Sequence, residues 1–218
     1  MRTLLVTDIH GDHEKLEKII EREEFDTILC AGDLGDANEY QNYTENLEQV
    51  LGKFNQKDKL VKAVPGNMDR EEDCVKALRQ HRINLHQKIA SFEGFEAVGF
   101  GGGITPFGTP FEPAEEEIRK ALEILQERMT SDTKVGVIHQ PPKDTKVDIA
   151  DGNHVGSQEV RELIEESNFD LVVTGHIHES RGQDSLAETK IGNPGPVLDG
   201  FYAVADIEDS IEVELKQI

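Results

Sequence analysis

The chain alternates short apolar runs with longer stretches whose apolar residues recur at helical spacing. The runs lie at residues 4–6, 28–31, 60–64, 97–100, 135–138 and 171–173. Between them, residues such as Leu47, Val50, Leu51 and Phe54 form a stripe with the i, i+3, i+4, i+7 period of an amphipathic helix. Strands that alternate with helices predict an α/β fold. The last third of the chain changes to the period-two pattern of exposed strands, at 202–207 and 211–215.

Polar residues at the ends of the helical stretches predict where those helices begin. Asp12 and Ser157 each precede an apolar stripe and are expected to be N-caps. Asp69 followed by Glu72 has the spacing of a capping box ahead of Val75. We therefore expect helices to start just after residues 12, 69 and 157.

Length and charge narrow the class of protein. With 218 residues and no long linker or repeat, residues 1–218 are expected to form a single domain. The formal charge is −21, which opposes non-specific binding to nucleic acid or to anionic lipid. No apolar stretch approaches the ~18 residues of a membrane span, and no secretion signal is visible, so a cytoplasmic protein is expected. Cys30 and Cys74 lie within apolar patterns and are expected to be buried thiols.

Metal-binding side chains follow five of the apolar runs. They form the segments Asp8-Ile9-His10, Gly32-Asp33, Gly66-Asn67, Ile138-His139 and Gly175-His176-Ile177-His178. Each segment alone has a plain structural explanation, as a turn, a cap or a buried histidine. The pair of histidines two residues apart is the most specific of them. Because ligands gather at the carboxyl ends of strands in α/β sheets, the joint occurrence predicts one metal site assembled from across the fold.

These segments, in this order, resemble the motifs of the calcineurin-like metallophosphoesterases over the whole chain. The resemblance implies a four-layer sandwich, in which helices flank two mixed β-sheets. It implies two divalent metal ions, one held by Asp8, His10 and His178, the other by Asn67, His139 and His176, with Asp33 bridging. Manganese is the favoured metal, and iron, zinc, cobalt or nickel also suit these ligands. Hydrolysis of a phosphate ester would then proceed by attack of a hydroxide that bridges the two ions, with Asp33 and Asn67 as catalytic residues.

One position departs from the resembled pattern. Many members of that family carry a histidine after the asparagine, and it is thought to protonate the leaving oxygen or to contact the phosphate; this chain has Met68. A thioether cannot donate a proton, so Asp69, His10 or His154 would have to take this role, or the leaving group would have to depart unaided. His154 lies in a His-x-Gly-Ser run that similar proteins share, and it is retained as a candidate catalytic residue.

Two glycine-containing segments carry weaker signals. Residues 101–103 are three glycines that are not followed by the Lys-Ser/Thr of a nucleotide loop, so we expect a turn beside the metal cleft. The following Phe107, Pro110 and Phe111 are expected to form an apolar lip that faces substrate or a second subunit. Residues 192–195 resemble a loop of the same family and are interpreted as structural.

The sequence favours a phosphodiesterase, because Met68 makes the cleft less polar and no arginine clamp for a dianion is evident. Arg70 and Arg181 lie near the motifs and keep a phosphomonoesterase open as an alternative. A non-catalytic scaffold of the same fold is a second alternative, although all seven ligand positions are filled. A DNA nuclease is disfavoured by the acidity and by the chain length. The expected partner is a small phosphate ester, with a homodimer possible.

Overall fold

The computed structural model describes residues 1–39, 41–55, 59–208 and 210–218. Five helices occur within this part of the chain: α1 (His13–Arg22), α2 (Tyr43–Phe54), α3 (Glu71–Gln80), α4 (Glu115–Gln126) and α5 (Gln158–Glu166). The strands of its first half are β1 (Arg2–Val6), β2 (Thr27–Cys30), β3 (Leu60–Ala63), β4 (Lys88–Ser91), β5 (Glu96–Phe100) and β6 (Lys134–Ile138). The remaining strands are β7 (Ile149–Ala150), β8 (Asn153–His154), β9 (Leu171–Val173), β10 (Gly182–Leu186), β11 (Thr189–Asn193), β12 (Phe201–Ile207) and β13 (Ile211–Gln217). Short 3-10 turns occupy His178–Ser180 and Val197–Asp199.

The strands form two mixed sheets and a small hairpin. The first sheet has the order β13-β12-β1-β2-β3, in which β1, β2 and β3 are parallel and β12 and β13 are antiparallel. The second has the order β10-β11-β9-β6-β5-β4, with the four central strands parallel and both edge strands antiparallel. Strands β7 and β8 pair only with each other. Since parallel strands end at the same edge of a sheet, each sheet has one edge where loops can converge.

Three apolar layers lie between four layers of secondary structure. On β1, Leu4 and Val6 pack towards α1, α2 and α3, whereas Leu5 packs towards the second sheet. On β6, Val137 joins the layer between the sheets and Ile138 joins the layer beneath α4 and α5. This alternation is the period of two that a strand imposes when both of its faces are buried. The expected four-layer α/β sandwich is confirmed.

The start of α3 differs from expectation, while the other two helix starts agree. Asp12 and Ser157 accept hydrogen bonds from backbone N–H groups three residues on, so both are N-caps. Helix α3 instead begins after Arg70, with no side-chain cap, and the expected Asp69 capping box is wrong. The carboxylate of Asp69 is fully buried and bonds elsewhere. Both cysteines are buried free thiols, as expected.

None of the helices in the described residues has the length and apolar character that crossing a membrane requires.

Candidate metal centre

The five sequence segments meet where the two sheets abut, at the carboxyl ends of β1, β2, β3, β6 and β9. Backbone hydrogen bonds continue the parallel pairing past the strand ends and so hold the segments side by side. Asp8 N donates to Gly32 O at 3.0 Å, and Gly175 N donates to His139 O at 3.2 Å. The seven side chains therefore lie close together because the strands that precede them end at the same edge of the two sheets.

One group of donor atoms comes from Asp8, His10 and His178. The Nε2 atoms of His10 and His178 lie 3.1 Å apart, and His178 Nε2 is 3.5 Å from Asp8 Oδ1. One ligand atom from each of the three residues lies within 4.8 Å of the others. Two imidazole nitrogens and a carboxylate oxygen at this separation suit a divalent transition metal.

A second group forms around the side-chain amide of Asn67. Its Oδ1 atom lies 3.0 Å from His139 Nε2 and 2.7 Å from His176 Nδ1. Asn67 is buried and His139 completely so. The division of ligands between two groups is the one that the family resemblance implies, and the binding of metal by these residues stays a prediction.

Asp33 lies between the two groups. Its Oδ2 atom is 3.6 Å from His10 Nε2 and 3.5 Å from His139 Nε2, so one carboxylate oxygen faces a histidine of each group. Its other oxygen accepts a hydrogen bond from the backbone N–H of Met68 at 2.7 Å. The backbone N–H of Met68, at the position where many family members carry a histidine, thus fixes the orientation of the carboxylate between the two groups.

Hydrogen-bond partners on the outer side of two rings determine which nitrogen faces inward. His139 Nδ1 is 2.6 Å from Ala31 O, and because a carbonyl only accepts, Nδ1 carries a proton and Nε2 is the nitrogen that faces Asn67 and Asp33. His10 Nδ1 faces Asp36 Oδ2 at 3.4 Å. A lone pair directed at the oxygens of Asn67 and Asp33 is repulsive unless a proton or a cation lies between them. The donor set therefore fits a divalent cation, with Asp36 and Ala31 as the outer partners typical of metal-bound histidines.

The pKa values of the histidines show how strongly the site attracts positive charge. Burial lowers the pKa of His10, but Asp36 and the negative charge of Asp33 outweigh it and raise the value to about 9. Burial likewise lowers the pKa of His139, and the charge of Asp33 raises it to about 9. For His176, burial and the charge of His139 lower the pKa to about 4. Divalent cations would supply the same positive charge and displace these protons.

Four of the seven predicted ligands adopt backbone conformations that L-residues rarely populate. The φ angles are +51° at Asp8, +46° at His10, +50° at Asp33 and +72° at His176. Each such residue costs about 1–3 kcal/mol and persists only where the surrounding structure imposes it. Residues in such conformations cluster at functional sites. The backbone conformation is therefore a separate indication of a functional site at this edge of the sheets.

Glycine is required where backbone approaches the ligands closely. A Cβ atom on Gly66 would lie 2.0 Å from Asp33 Oδ1. A Cβ on Gly103 would lie 2.8 Å from His176 Cε1 and 3.2 Å from Asn67 Oδ1. Residues 101–103 therefore adjoin the second group, as a loop in which the structure assigns no turn.

Asp69 ties the ligand loops together, a role that the sequence did not indicate. Its two oxygens accept hydrogen bonds from the N–H groups of Leu34, Gly35 and Gly66 at 2.9–3.0 Å and from the hydroxyl of Tyr43 at 2.9 Å. These donors flank the two loops that carry Asp33 and Asn67. Asp69 is fully buried, so it takes no part as an exposed proton donor. Asp36 was also missed, because neither carboxylate belongs to a periodic pattern.

The structure places His154 apart from the seven ligands. Its ring is exposed, and Nδ1 lies 2.7 Å from Asp148 Oδ1, which raises the pKa of the imidazole. Among the described residues, His154 forms no hydrogen bond or ion pair with a ligand side chain. The hairpin that carries it packs against the turn that begins at His178, through the hydrogen bonds between Ile149 and Ser180. A catalytic role for His154 stays a prediction.

The apolar lip is present only in part. Phe107 is 87% exposed, but Phe111 is buried against the ring of His86, so its expected place on the lip is wrong. The two arginines near the motifs, Arg70 and Arg181, make their contacts with aromatic rings and backbone carbonyls. Arg181 lies over the ring of Phe201 and donates to backbone carbonyls, and Arg70 lies over the ring of Tyr43.

Comparison with known proteins agrees with the geometry. The model of the calcineurin-like phosphoesterase family matches residues 1–180. The uncharacterized protein MJ1162 of Methanocaldococcus jannaschii is 34% identical over 204 residues, which cover 90% of this chain and 88% of that protein. The chain belongs to the calcineurin-like phosphoesterase family.

Two solved structures show the same fold at low sequence identity. A dimetal phosphatase from Danio rerio has a TM-score of 0.74 at 12% identity, covering 100% of this chain and 96% of that one. The protein TT1561 of Thermus thermophilus has a TM-score of 0.72 at 21% identity, covering 99% and 98%.

Proposed function

We propose that this member of the calcineurin-like phosphoesterase family hydrolyses phosphodiesters at a centre that holds two divalent transition-metal ions, manganese first among them. The observation that carries the proposal is the position of Asp33, whose Oδ2 atom lies within 3.6 Å of one histidine from each ligand group. Two bound ions would lower the pKa of water and polarise the phosphate oxygens. The remaining steps depend on what the side chains of this chain do.

The ligand side chains orient the reaction centre. Asp33 is held by the Met68 N–H, and Asn67 contributes an oxygen without adding negative charge. His10 and His139 present their Nε2 atoms inward because Asp36 and Ala31 O occupy the other nitrogens. Preorganised donors of this kind need no rearrangement when the phosphate enters, which is the main source of rate acceleration in such sites.

The preference for a diester follows from the charges near the ligands. No lysine or arginine in the described part of the chain forms an ion pair with Asp8 or Asp33, and Arg181 is directed towards Pro194 O and Lys216 O. A monoester dianion would enter an acidic site without a cationic side chain to hold it, whereas a diester carries one charge. Met68 supplies no proton, so substrates whose leaving groups depart unaided are favoured.

A hydrolysis panel tests the substrate class. Full-length protein loaded with Mn²⁺ is assayed on bis(4-nitrophenyl) phosphate and on 4-nitrophenyl phosphate. We expect kcat/KM to favour the diester by at least about tenfold, because the monoester lacks a charge partner. Faster cleavage of the monoester overturns the diester preference and supports a phosphomonoesterase. Metal binding without hydrolysis of either ester overturns the enzymatic proposal in favour of a scaffold.

Variants test the assigned roles. Asp33→Asn and His176→Ala are expected to reduce turnover to background, because each removes a ligand. Met68→Ala is expected to change turnover by less than about tenfold, below the ~10²–10⁴-fold effect of losing a general acid. A Met68→Ala protein as inactive as the ligand variants, with its metal content unchanged, would contradict the role given to the Met68 side chain.

A further inference from the structure

A second cavity lies away from the metal centre, between the edge strands of the two sheets. Strand β3 ends the first sheet and β4 ends the second, and the cavity of about 600 Å³ opens between them. Leu60 and Lys62 of β3 line one side, and Ile89 and Ser91 of β4 line the other. None of the seven predicted metal ligands lines it.

Four cationic side chains converge on this cavity. Lys62 comes from β3, Arg79 from the last turn of α3, Arg82 from the segment after α3, and Lys88 from β4. The chain carries 44 acidic and only 23 basic residues. A cavity lined by four cations therefore has the opposite sign of charge to the molecule as a whole. The cluster makes a local positive field on a surface that otherwise repels anions.

These cations have no acidic partner within the described ranges. Arg119, by contrast, contacts four glutamates on its own helix and on α5. Lys62 donates its Nζ hydrogen bond to the backbone carbonyl of Arg82 instead of to a carboxylate. Burial and the positive charge of Lys88 lower the pKa of Lys62, which is the direction expected for a cation that lacks a counter-charge. An anion would relieve this repulsion.

The cavity is also bordered by an exposed apolar side chain. Leu60 is 47% exposed although its side chain is large and apolar. Phosphate alone would not use this surface, since phosphate has no apolar part. Asn84 lines the cavity as well, but its Oδ1 atom is buried.

Arg82 has a backbone conformation that is unfavourable for a residue other than glycine. It follows the cap residue of α3 with φ +62°, in the left-handed region where helices usually end on glycine. The helix end already has Arg79 in its last turn, so the helix dipole does not require a second arginine there.

We propose that this cavity binds a nucleotide, with its phosphates between Lys62, Arg79, Arg82 and Lys88 and its base against Leu60. The site is separate from the metal centre, yet both adjoin the same elements. Strand β3 runs from the cavity towards the loop that carries Asn67, and α3 leads back from that loop to Arg79. The proposal does not depend on the substrate of the metal centre.

Calorimetry with full-length, metal-loaded protein tests the proposal. The ligands are adenosine 5′-(α,β-methylene)diphosphate, which resists hydrolysis, pyrophosphate, and adenosine. We expect the methylene nucleotide to bind at least about tenfold more tightly than either fragment, and more weakly as salt is raised. Pyrophosphate that binds as tightly as the nucleotide would overturn the assignment, because charge alone would then account for the site.

Charge variants locate the binding. Lys62→Glu with Arg82→Glu is expected to weaken nucleotide binding at least about tenfold, whereas Lys18→Glu, an exposed cation on α1, leaves it unchanged. Ester hydrolysis within about twofold of wild type shows that the variants are folded. Should the double reversal fail to fold, Arg82→Gln serves in its place, with a smaller loss expected. Equal binding by wild type and by a folded cavity variant overturns the proposal.

Photolabelling separates the two sites directly. 8-Azido-ADP is expected to modify peptides within residues 59–91 and to lose that labelling in the cavity variant. Labelling confined to peptides that carry His139, His176 or His178 would place the nucleotide at the metal centre and would overturn the proposal.

Discussion

Replacing Tyr43 by phenylalanine tests whether Asp69 holds the ligand loops in place. The substitution removes one hydroxyl, which donates to Asp69 Oδ1 at 2.9 Å, and leaves the ring in the core. Tyr43 is 1% exposed and Asp69 is fully buried, so water cannot replace the lost donor. We expect a less stable protein with weaker metal binding.

The size of the effect follows from the other donors to Asp69. The carboxylate keeps the N–H groups of Leu34, Gly35 and Gly66, so it is weakened but not left unpaired. A hydrogen bond to a charged group contributes about 1.5–3 kcal/mol, and we take about 2 kcal/mol for this one. In a chain of this size that corresponds to a fall in Tm of about 4–8 °C.

The matched control is Tyr202→Phe, which removes a hydroxyl that also donates to a carboxylate. That hydroxyl lies 2.7 Å from Glu23 Oε1, and Glu23 is in addition paired with Lys216 near the surface. Because Glu23 keeps its ion pairs with Lys216 and Arg2 when the hydroxyl is removed, we expect a loss of at most about 1 kcal/mol. Urea unfolding at pH 7.5 measures both losses, and calorimetric titration with Mn²⁺ measures metal affinity.

Two results would refute the reasoning. The first is a Tyr43→Phe protein no less stable than Tyr202→Phe, which would show that the hydroxyl of Tyr43 contributes no more than that of Tyr202. The second is a destabilised Tyr43→Phe protein with wild-type Mn²⁺ affinity, which would show that Asp69 stabilises the fold without positioning the ligand loops.

Further predictions concern the metal centre, a helix and the pH dependence of stability. Gly103→Ala is expected to reduce Mn²⁺-dependent turnover more than about tenfold with the fold retained, since its Cβ would enter the second ligand group. Gly52→Ala, inside α2 with no atom within 4 Å of the new Cβ, is expected to raise the free energy of unfolding by about 0.5–1 kcal/mol and so serves as the matched glycine control. Burial and the positive charge of Arg79 lower the pKa of His86 to about 4. The unfolded chain therefore takes up this proton first as the pH falls below ~6.5, and His86 is expected to cost about 2 kcal/mol of stability at pH 5. The difference in unfolding free energy between wild type and His86→Gln should shift by that amount between pH 7.5 and pH 5, and a pH-independent difference would contradict it. EDTA is expected to abolish hydrolysis and lower Tm by about 5–10 °C, with Mn²⁺ restoring both, because bound metal stabilises only the folded state; unchanged activity in EDTA would exclude a metal requirement.

Local pattern was enough to predict the α/β class and the positions of the ligand segments, whereas the four-layer arrangement was predicted from the family resemblance. Leu4, Leu5 and Val6 indicate a strand buried on both faces, and Asp8 and His10 follow it directly. Strand ends are local features, so side chains placed just after them can be recognised along the chain. The assembly of the five segments needed the family resemblance, because no spacing along the chain states which strands are neighbours.

Roles that depend on contacts between distant segments were missed or misassigned. Asp69 has the spacing of a capping box with Glu72, but its carboxylate instead accepts hydrogen bonds from Gly66 in its own loop and from three buried donors of distant segments. Asp36 orients His10, and Phe111 turns inward onto His86, for the same kind of reason. In each case, a contact with a residue distant in sequence determined the position of the side chain, and the local sequence pattern did not reveal that contact.

The sequence by itself therefore determined which side chains stand at the strand ends and that their chemistry suits metal ions, because hydrophobic periodicity and donor type are properties of short segments. Only the tertiary structure decided that Asp33 faces a histidine of each group and that Ala31 O and Asp36 turn two imidazoles inward. It also decided that four cations line a cavity between β3 and β4, none of them with an acidic partner in the described part of the chain. Distances between side chains arise when the two sheets pack against each other, and that packing brings together residues more than a hundred positions apart.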